Sequence, residues 1–201
     1  MLPIQGFLGT VFCDPWVHGE FALIGDAAHA FTPFFGQGCN SGFEDVSILH
    51  DLLTKGGGGG GSGSGGSGGS QLAAVLAAYY SERKPNADAI ANMALDNFDE
   101  MMSKTADARF LLEKEIENEL ATRHPAYISR YVLITHSLFP YHLCQKAGVL
   151  QQKVLSQLSE GIAKVEDVDW DRAAALIKEE VLPFLAQHCA EIYESPYYEP
   201  L

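Results

Sequence analysis

From Gly56 to Ser70 the chain contains only glycine and serine. No side chain in that run can bury apolar area, so nothing offsets the entropy cost of ordering it. It reads as a linker, with a mean span on the order of 20 Å for a Gly/Ser coil. The linker 56–70 divides the chain into a block at 1–55, a long block at 71–190 and a tail at 191–201. Whatever folds must do so within the two blocks, with the linker free to join them. The tail carries Pro196, Pro200 and three tyrosines, and it reads as disordered.

Composition narrows the classes. Hydrophobic residues make up 47% of the 201 residues, enough for a packed core and too many for wholesale disorder. The formal charge of −13 argues against nucleic acid or an anionic membrane as a partner. Cys13, Cys39, Cys144 and Cys189 lie far apart with no CxxC spacing, as free thiols of a reducing compartment do. The histidines form no metal-ligand pattern, and no metal site is expected. There is no run of about twenty apolar residues, so no membrane span is expected. Met1-Leu2-Pro3-Ile4 shows no signal peptide.

The first block has one organised stretch. Leu8 to Cys13 alternates loosely, as an edge strand does, and His18-Gly19-Glu20 is turn material. Phe21-Ala22-Leu23-Ile24 reads as a short buried strand that stops at the turn pair Gly25-Asp26. Gly36 and Gly38 then allow a ligand to approach the backbone closely. Asn40 and Ser41 are N-cap types. Gly42 to Leu53 follows as a helix, with Phe43, Val46, Leu49, His50 and Leu53 along one stripe. A strand, a glycine loop and a helix N-terminus together favour a negatively charged ligand atom. The residues alone also permit a plain strand-to-helix turn with Asp26 as a local cap.

The second block is almost entirely helical. Leu72, Val75, Leu76, Tyr79 and Tyr80 follow helical spacing, and Pro85 marks a break or kink. Ile90, Met93, Ala94, Asn97 and Met101 form the next stripe. Asp107 caps a helix that ends near His124-Pro125. Ile128 to Leu138 is β-branched and aromatic, and strand, extended loop and helix all fit it. Tyr141 to Leu158 is a helix stopped by Gly161, and Asp169 caps a last helix that Pro183 disturbs. The chain is therefore mainly α with a short β segment.

The stretch Gly25-Asp26-Ala27-Ala28-His29-Ala30, with Pro33-Phe34-Phe35-Gly36-Gln37-Gly38-Cys39-Asn40, resembles the second flavin motif of the aromatic-ring FAD-dependent monooxygenases. Within them, the kynurenine 3-monooxygenases also match Met93 to Phe98 with Glu100-Met101, Phe110 to Glu113, Arg130-Tyr131 and Phe139-Pro140-Tyr141. The similarity covers residues 18 to 160 apart from the linker. It implies FAD as cofactor, NADPH as reductant and L-kynurenine, a small aromatic amino acid, as substrate. Asp26 then accepts a hydrogen bond from a ribityl hydroxyl. Pro33, Gly36, Gln37, Gly38, Cys39 and Asn40 lie against the flavin ring, with backbone amides stabilising negative charge on its reduced form.

Asn97 and Tyr131 match positions that bind the amino-acid end of the substrate. Phe34, Phe35 and Met101 match positions lining its aromatic pocket. A zwitterionic amino acid needs polar partners and an aniline ring needs apolar walls, so these residue types suit the task. Core packing is the competing role for Tyr131 and Phe34, and a satisfied buried amide the competing role for Asn97. No residue is expected as an acid–base catalyst, because the cofactor carries the oxidising chemistry. His29 reads as a structural partner of the loop.

The resemblance also shows what to look for elsewhere. The family's strand–GxGxxG–helix unit for the ADP half of FAD has no counterpart before Phe21. Gly61-Ser62-Gly63-Ser64-Gly65-Gly66 fits the letters of that motif but follows a helix inside low-complexity sequence, so it is rejected as a nucleotide loop. The expectation is a C-terminal fragment of an α/β FAD-dependent monooxygenase fold, lacking the N-terminal Rossmann βαβ unit. Residues 1–55 would form part of the FAD-binding domain and 71–190 the helical substrate-side domain. A missing N-terminal half would be the partner, and the chain would be inactive alone. The setting is cytoplasmic or mitochondrial-associated. Two rival readings are a flavin hydroxylase of another aromatic substrate and a non-catalytic helical interaction module with a relic flavin loop.

Overall fold

The computed structural model describes residues 8–56, 68–103 and 107–193. Expectations for the start of the chain, the middle of the Gly/Ser tract and the tail beyond residue 193 lie outside these. The architecture is mainly α with one two-stranded β element. Two compact units divide within a long helix, at Leu95 and Asp96.

In the first unit, β1 (Val17–His18) pairs antiparallel with β2 (Phe21–Ala22), in the register Val17 to Ala22 and His18 to Phe21. Gly19 makes the connecting turn at φ +60°. The strand expected over Phe21–Ile24 is shorter and it is not buried: Phe21 is 80% exposed and Leu23 and Ile24 are also exposed. Leu8 to Cys13 forms no strand, although the Val11 N–H donates to the Ala30 carbonyl at 2.6 Å. Two strands of two residues offer too few ladder bonds to build a core sheet. The core here is instead Trp16, Ala28, Tyr79 and Ala87, with Leu49, Leu52 and Tyr80 packed against them.

Helix α1 (Asp26–His29) and a 3₁₀ turn (Pro33–Phe35) lead into α2 (Gly38–Gly56). Helix α2 begins earlier than expected, so Asn40 and Ser41 lie inside it and do not cap it. Its buried face also differs from the expected apolar stripe. Ser41 and Asp45 are fully buried, while Phe43, Val46, His50 and Leu53 are exposed and Leu49 is partly buried. The reason is the partner that α3 (Gly68–Ser103) presents, the buried side chain of Arg83. A buried guanidinium needs acceptors, and the polar face of α2 supplies them.

Helix α3 runs through Pro85 without ending. Proline removes one ladder bond, and the Asn86 side chain adds a bond to the Glu82 carbonyl at 3.1 Å in the same turn. The ends of the Gly/Ser tract are helical: Gly56 closes α2 and Gly68 opens α3.

The second unit, from Asp96 onward, consists of helices and their connections, with no strand among its described residues. Asp107 caps α4 (Ala108–Arg123) by accepting from the Phe110 N–H at 2.9 Å. The ambiguous stretch near Ile128 resolves as α5 (Arg130–Thr135), capped by Ser129. Helix α6 (Tyr141–Leu158) keeps its expected bounds and packs against α4, α5 and the following helices. Asp169 caps α7 (Trp170–Leu176). Pro183 does not end the last helix. A π-turn at Ile177–Val181 precedes it, and α8 (Leu182–Tyr193) continues beyond. The buried side chains of this unit include Ile116, Leu120, Leu133, Ile134, Val154, Ile177 and Val181.

Candidate flavin loop and its supports

The loop that leaves β2 is built on glycine. Gly25 has φ +58° and ψ −140°, and Gly36 has φ +66°; both are conformations that L-residues avoid. Side chains added at Gly25, Gly36 or Gly38 would meet nothing within 4 Å, so the backbone there is bare. The Gly25 carbonyl accepts from Ala28 N–H at 2.8 Å and His29 N–H at 3.0 Å, which winds the single turn of α1. Asp26 opens that turn. It is exposed, and no described residue bonds its carboxylate.

After the turn, Pro33 and Gly36 are exposed, Phe34 is half-buried and Phe35 is buried. Gln37 is buried, and its side chain braces the loop rather than pointing away from it. Its amide donates to the Phe35 carbonyl at 3.1 Å and its oxygen accepts from Asn40 Nδ2 at 2.9 Å. Gly38, Cys39 and Asn40 precede the first ladder bond of α2, from Ser41 N–H to the Gln37 carbonyl. Their amides therefore stand at the positive end of a 19-residue helix. Cys39 and Asn40 are exposed there.

Behind the loop lies a buried charge network. Asp45 Oδ2 accepts from Gly25 N–H at 3.0 Å and faces His29 Nε2 at 2.5 Å. Asp45 Oδ1 accepts from Arg83 Nε at 2.7 Å. Arg83 Nη2 donates to both the carbonyl and the hydroxyl of Ser41, and Nη1 forms an ion pair with Glu44 at 2.7 Å. The His29 ring packs 5.1 Å from Trp16, itself fully buried.

Burial works to raise the Asp45 carboxyl. The hydrogen bonds from His29 and Arg83, with the guanidinium charge, outweigh it and hold Asp45 below the usual carboxylate range. For Glu44 the balance reverses, and burial pushes it up despite Arg83. Burial would also lower Arg83, but Glu44 and Asp45 keep it raised.

His29 thus stands where a structural partner of the loop belongs. Asp45, Glu44, Arg83 and Trp16 escaped the sequence reading. A residue pair did carry a signal: Ser41 and Asp45 are polar at i, i+4 on a helix whose other face is apolar. Their partner Arg83 sits in the polar run before Pro85, which reads as a break or kink.

These features have counterparts in known proteins. Residues 8–94 match the family of FAD binding domains. A kynurenine 3-monooxygenase of Myxococcus xanthus is 43% identical over 185 residues, which is 91% of this chain and 37% of that protein. This chain is a relative of the kynurenine 3-monooxygenases. The enzyme of that name from Dictyostelium discoideum is 39% identical over 85% of this chain and 38% of its own length. The one from Legionella pneumophila strain Corby is 38% identical over 86% of this chain and 36% of its own length. The chain therefore spans somewhat over a third of the length of the kynurenine 3-monooxygenases it matches.

The remaining candidate residues of this kynurenine 3-monooxygenase relative lie in the second unit. Asn97, on the last turns of α3, is half-buried, and Met101 is 55% exposed. Tyr131, at the start of α5, is 57% exposed. Arg130 Nη2 lies 3.9 Å from Glu100 Oε1, so the sequence neighbours of Tyr131 and Met101 meet. Phe34 and Phe35 belong to the first unit, on the loop. Among the described residues no cluster of three or more acidic, His or Cys side chains is arranged to hold a metal. No helix there is long and apolar enough to cross a membrane.

Proposed function

We propose that this chain supplies the ribityl and ring side of a flavin site, in an enzyme that hydroxylates L-kynurenine with FAD and NADPH. The observation that carries this is the exposed carboxylate of Asp26, which no described residue bonds, preceded by the bare Gly25 and followed by the N-terminus of α2. A polyol chain needs a fixed acceptor and close access to backbone, and the loop offers both. Asp26 would hold a ribityl hydroxyl, and the amides of Gly38 to Asn40 would face the negatively charged edge of the reduced ring. When bound, FAD would supply the oxidising chemistry for ring hydroxylation, with NADPH as reductant and dioxygen as the oxygen source. The protein's task is to orient the substrate and exclude water. The resemblance assigns apolar contacts to Phe34, Phe35 and Met101, and binding of the amino-acid end to Asn97 and Tyr131.

On this reading the ADP half of FAD is held by a dinucleotide-binding half supplied in cis or as a separate polypeptide, such as residues preceding the matched region of a relative. The reconstituted protein should oxidise NADPH in response to kynurenine. Asp26→Ala should weaken FAD binding by about tenfold to a hundredfold, as loss of a hydrogen bond to a charged acceptor does. Asn97→Ala should raise KM for kynurenine with FAD content unchanged. A response to another aromatic acid but not to kynurenine would leave only the flavin-hydroxylase reading. A lowered melting temperature with unaltered kinetics would make Asn97 a core amide.

A further inference from the structure

We propose that Asp45 is the positioning residue of the flavin loop, acting through Gly25 on Asp26. The proposal rests on the flavin reading for the ligand, but its geometry stands by itself. A single buried carboxylate takes three donors from three elements: the Gly25 amide, His29 at the end of α1 and Arg83 of α3. Gly25 is thereby held from both sides. Its N–H is fixed by Asp45, and its carbonyl by the Ala28 and His29 amides. Its backbone conformation, φ +58° and ψ −140°, is open to glycine and avoided by L-residues. Asp26 is the next residue, and its exposed carboxylate points where the fixed backbone sends it.

The cost of this arrangement argues for a purpose beyond stability. Asp45 and Arg83 are both fully buried, and buried ion pairs are commonly no more stabilising than apolar residues of the same size. An apolar pair in their place would pack α2 against α3 equally well. It would leave the Gly25 amide without an acceptor and His29 without a partner. The second oxygen of Asp45 is what makes the pair useful to the loop. Arg83 orients the carboxylate by occupying Oδ1 and is itself fixed by Ser41 and Glu44, so Oδ2 is presented to Gly25.

The test uses the Asp45→Leu/Arg83→Met double variant of the full chain, which keeps volume and removes both buried charges together. Amide hydrogen exchange is measured residue by residue. Exchange at Gly25 is expected to accelerate by about tenfold or more, the effect of losing one buried hydrogen bond. Amides of α6 in the second unit should be unchanged. If Gly25 keeps its protection, or if protection falls evenly along the chain, Asp45 is a general scaffold residue and the proposal fails. Asp45→Asn serves as the second variant, since an amide oxygen can still accept from Gly25. It should retain more of the Gly25 protection than the double variant, and equal loss in both would overturn the proposal.

The link to Asp26 is tested by a cycle in protein reconstituted with the dinucleotide-binding half. The double variant should lower FAD affinity in the wild-type background and lower it no further once Asp26→Ala is present. Additive losses would show that Asp45 does not act through Asp26. An Asp26→Ala change that leaves FAD affinity intact would instead overturn the flavin reading, with the exchange result at Gly25 still deciding the positioning role.

Discussion

Asp26 and Asp45 are carboxylates of one loop system with opposite surroundings. Asp26 is exposed, and no described residue bonds its carboxylate, as the proposed ligand role requires. Asp45 is buried and saturated with donors, suited to hold the backbone that carries Asp26. The environment of Asp45 has a consequence for stability. Its carboxyl is held below the usual range, against burial, by His29 and Arg83. A depressed carboxyl contributes its stability fully above its unfolded value and loses it as pH falls through the folded value. Glu44 is raised by burial, so ionising it costs the folded state, and that cost is relieved as pH drops. On acidification the relief at Glu44 comes first, while Asp45 is still ionised in both the folded and the unfolded chain. Below about pH 4, the ordinary carboxylate range, only the loss at Asp45 remains. Thermal melts taken from pH 7 to pH 3 should show a steeper acid decline for the native chain than for Asp45→Leu/Arg83→Met. Parallel declines would mean that other carboxylates dominate acid unfolding.

At the scale of elements, α2 is the instructive case. Its sequence has a clear apolar stripe, and the helix itself was legible from it. The face was not, because periodicity reports which side is apolar and not which side a neighbour demands. Arg83 lies 38 residues from Asp45 across the Gly/Ser tract, so its claim on the polar side is invisible locally. In the second unit the local signals carry further, although on α4 it is Glu113 and not Leu111 that is buried, where it accepts from Gln152 and Ser159. There the caps Asp107 and Asp169, the stop at Gly161 and the bounds of Tyr141–Leu158 were all readable, since each depends on residues within a turn or two. At both prolines the sequence signals a disturbance where the helix runs on: α3 continues through Pro85, and a π-turn at Ile177–Val181 precedes Pro183. The exposed stripe of α2 gives a direct test. Phe43→Ser and Val46→Thr should each change stability by no more than about 0.5 kcal/mol, as surface substitutions do. Leu76→Ala, on a buried position of α3, should cost about 2–5 kcal/mol. Chemical denaturation of the isolated chain measures all three. A loss at Phe43 comparable to that at Leu76 would show that the stripe is covered in solution.

At the scale of the whole molecule, charge and extent decide how firmly the chain holds a cofactor by itself. FAD carries a pyrophosphate, and the chain carries a formal charge of −13. On the proposed reading, the residues that would meet the ligand are one carboxylate, bare glycine backbone and three amides at the start of α2, and these would serve the hydroxyls and the ring edge. A helix end favours an anion by about 0.3–1 kcal/mol at an exposed site, and a hydrogen bond to the Asp26 carboxylate adds about 1.5–3 kcal/mol. Together these amount to roughly 2–4 kcal/mol, whereas micromolar affinity requires about 8 kcal/mol. The difference has to come from contacts to the adenosine and pyrophosphate. The relatives are nearly three times as long as the stretch this chain matches, which leaves room for such contacts outside it. The isolated chain should therefore purify without the yellow of bound flavin and bind added FAD more weakly than micromolar, as read by quenching of flavin fluorescence. Raising the salt concentration should weaken this binding little or even strengthen it, because screening relieves repulsion between like charges. A yellow preparation carrying stoichiometric FAD would sink the argument, because it would place the pyrophosphate contacts within these 201 residues.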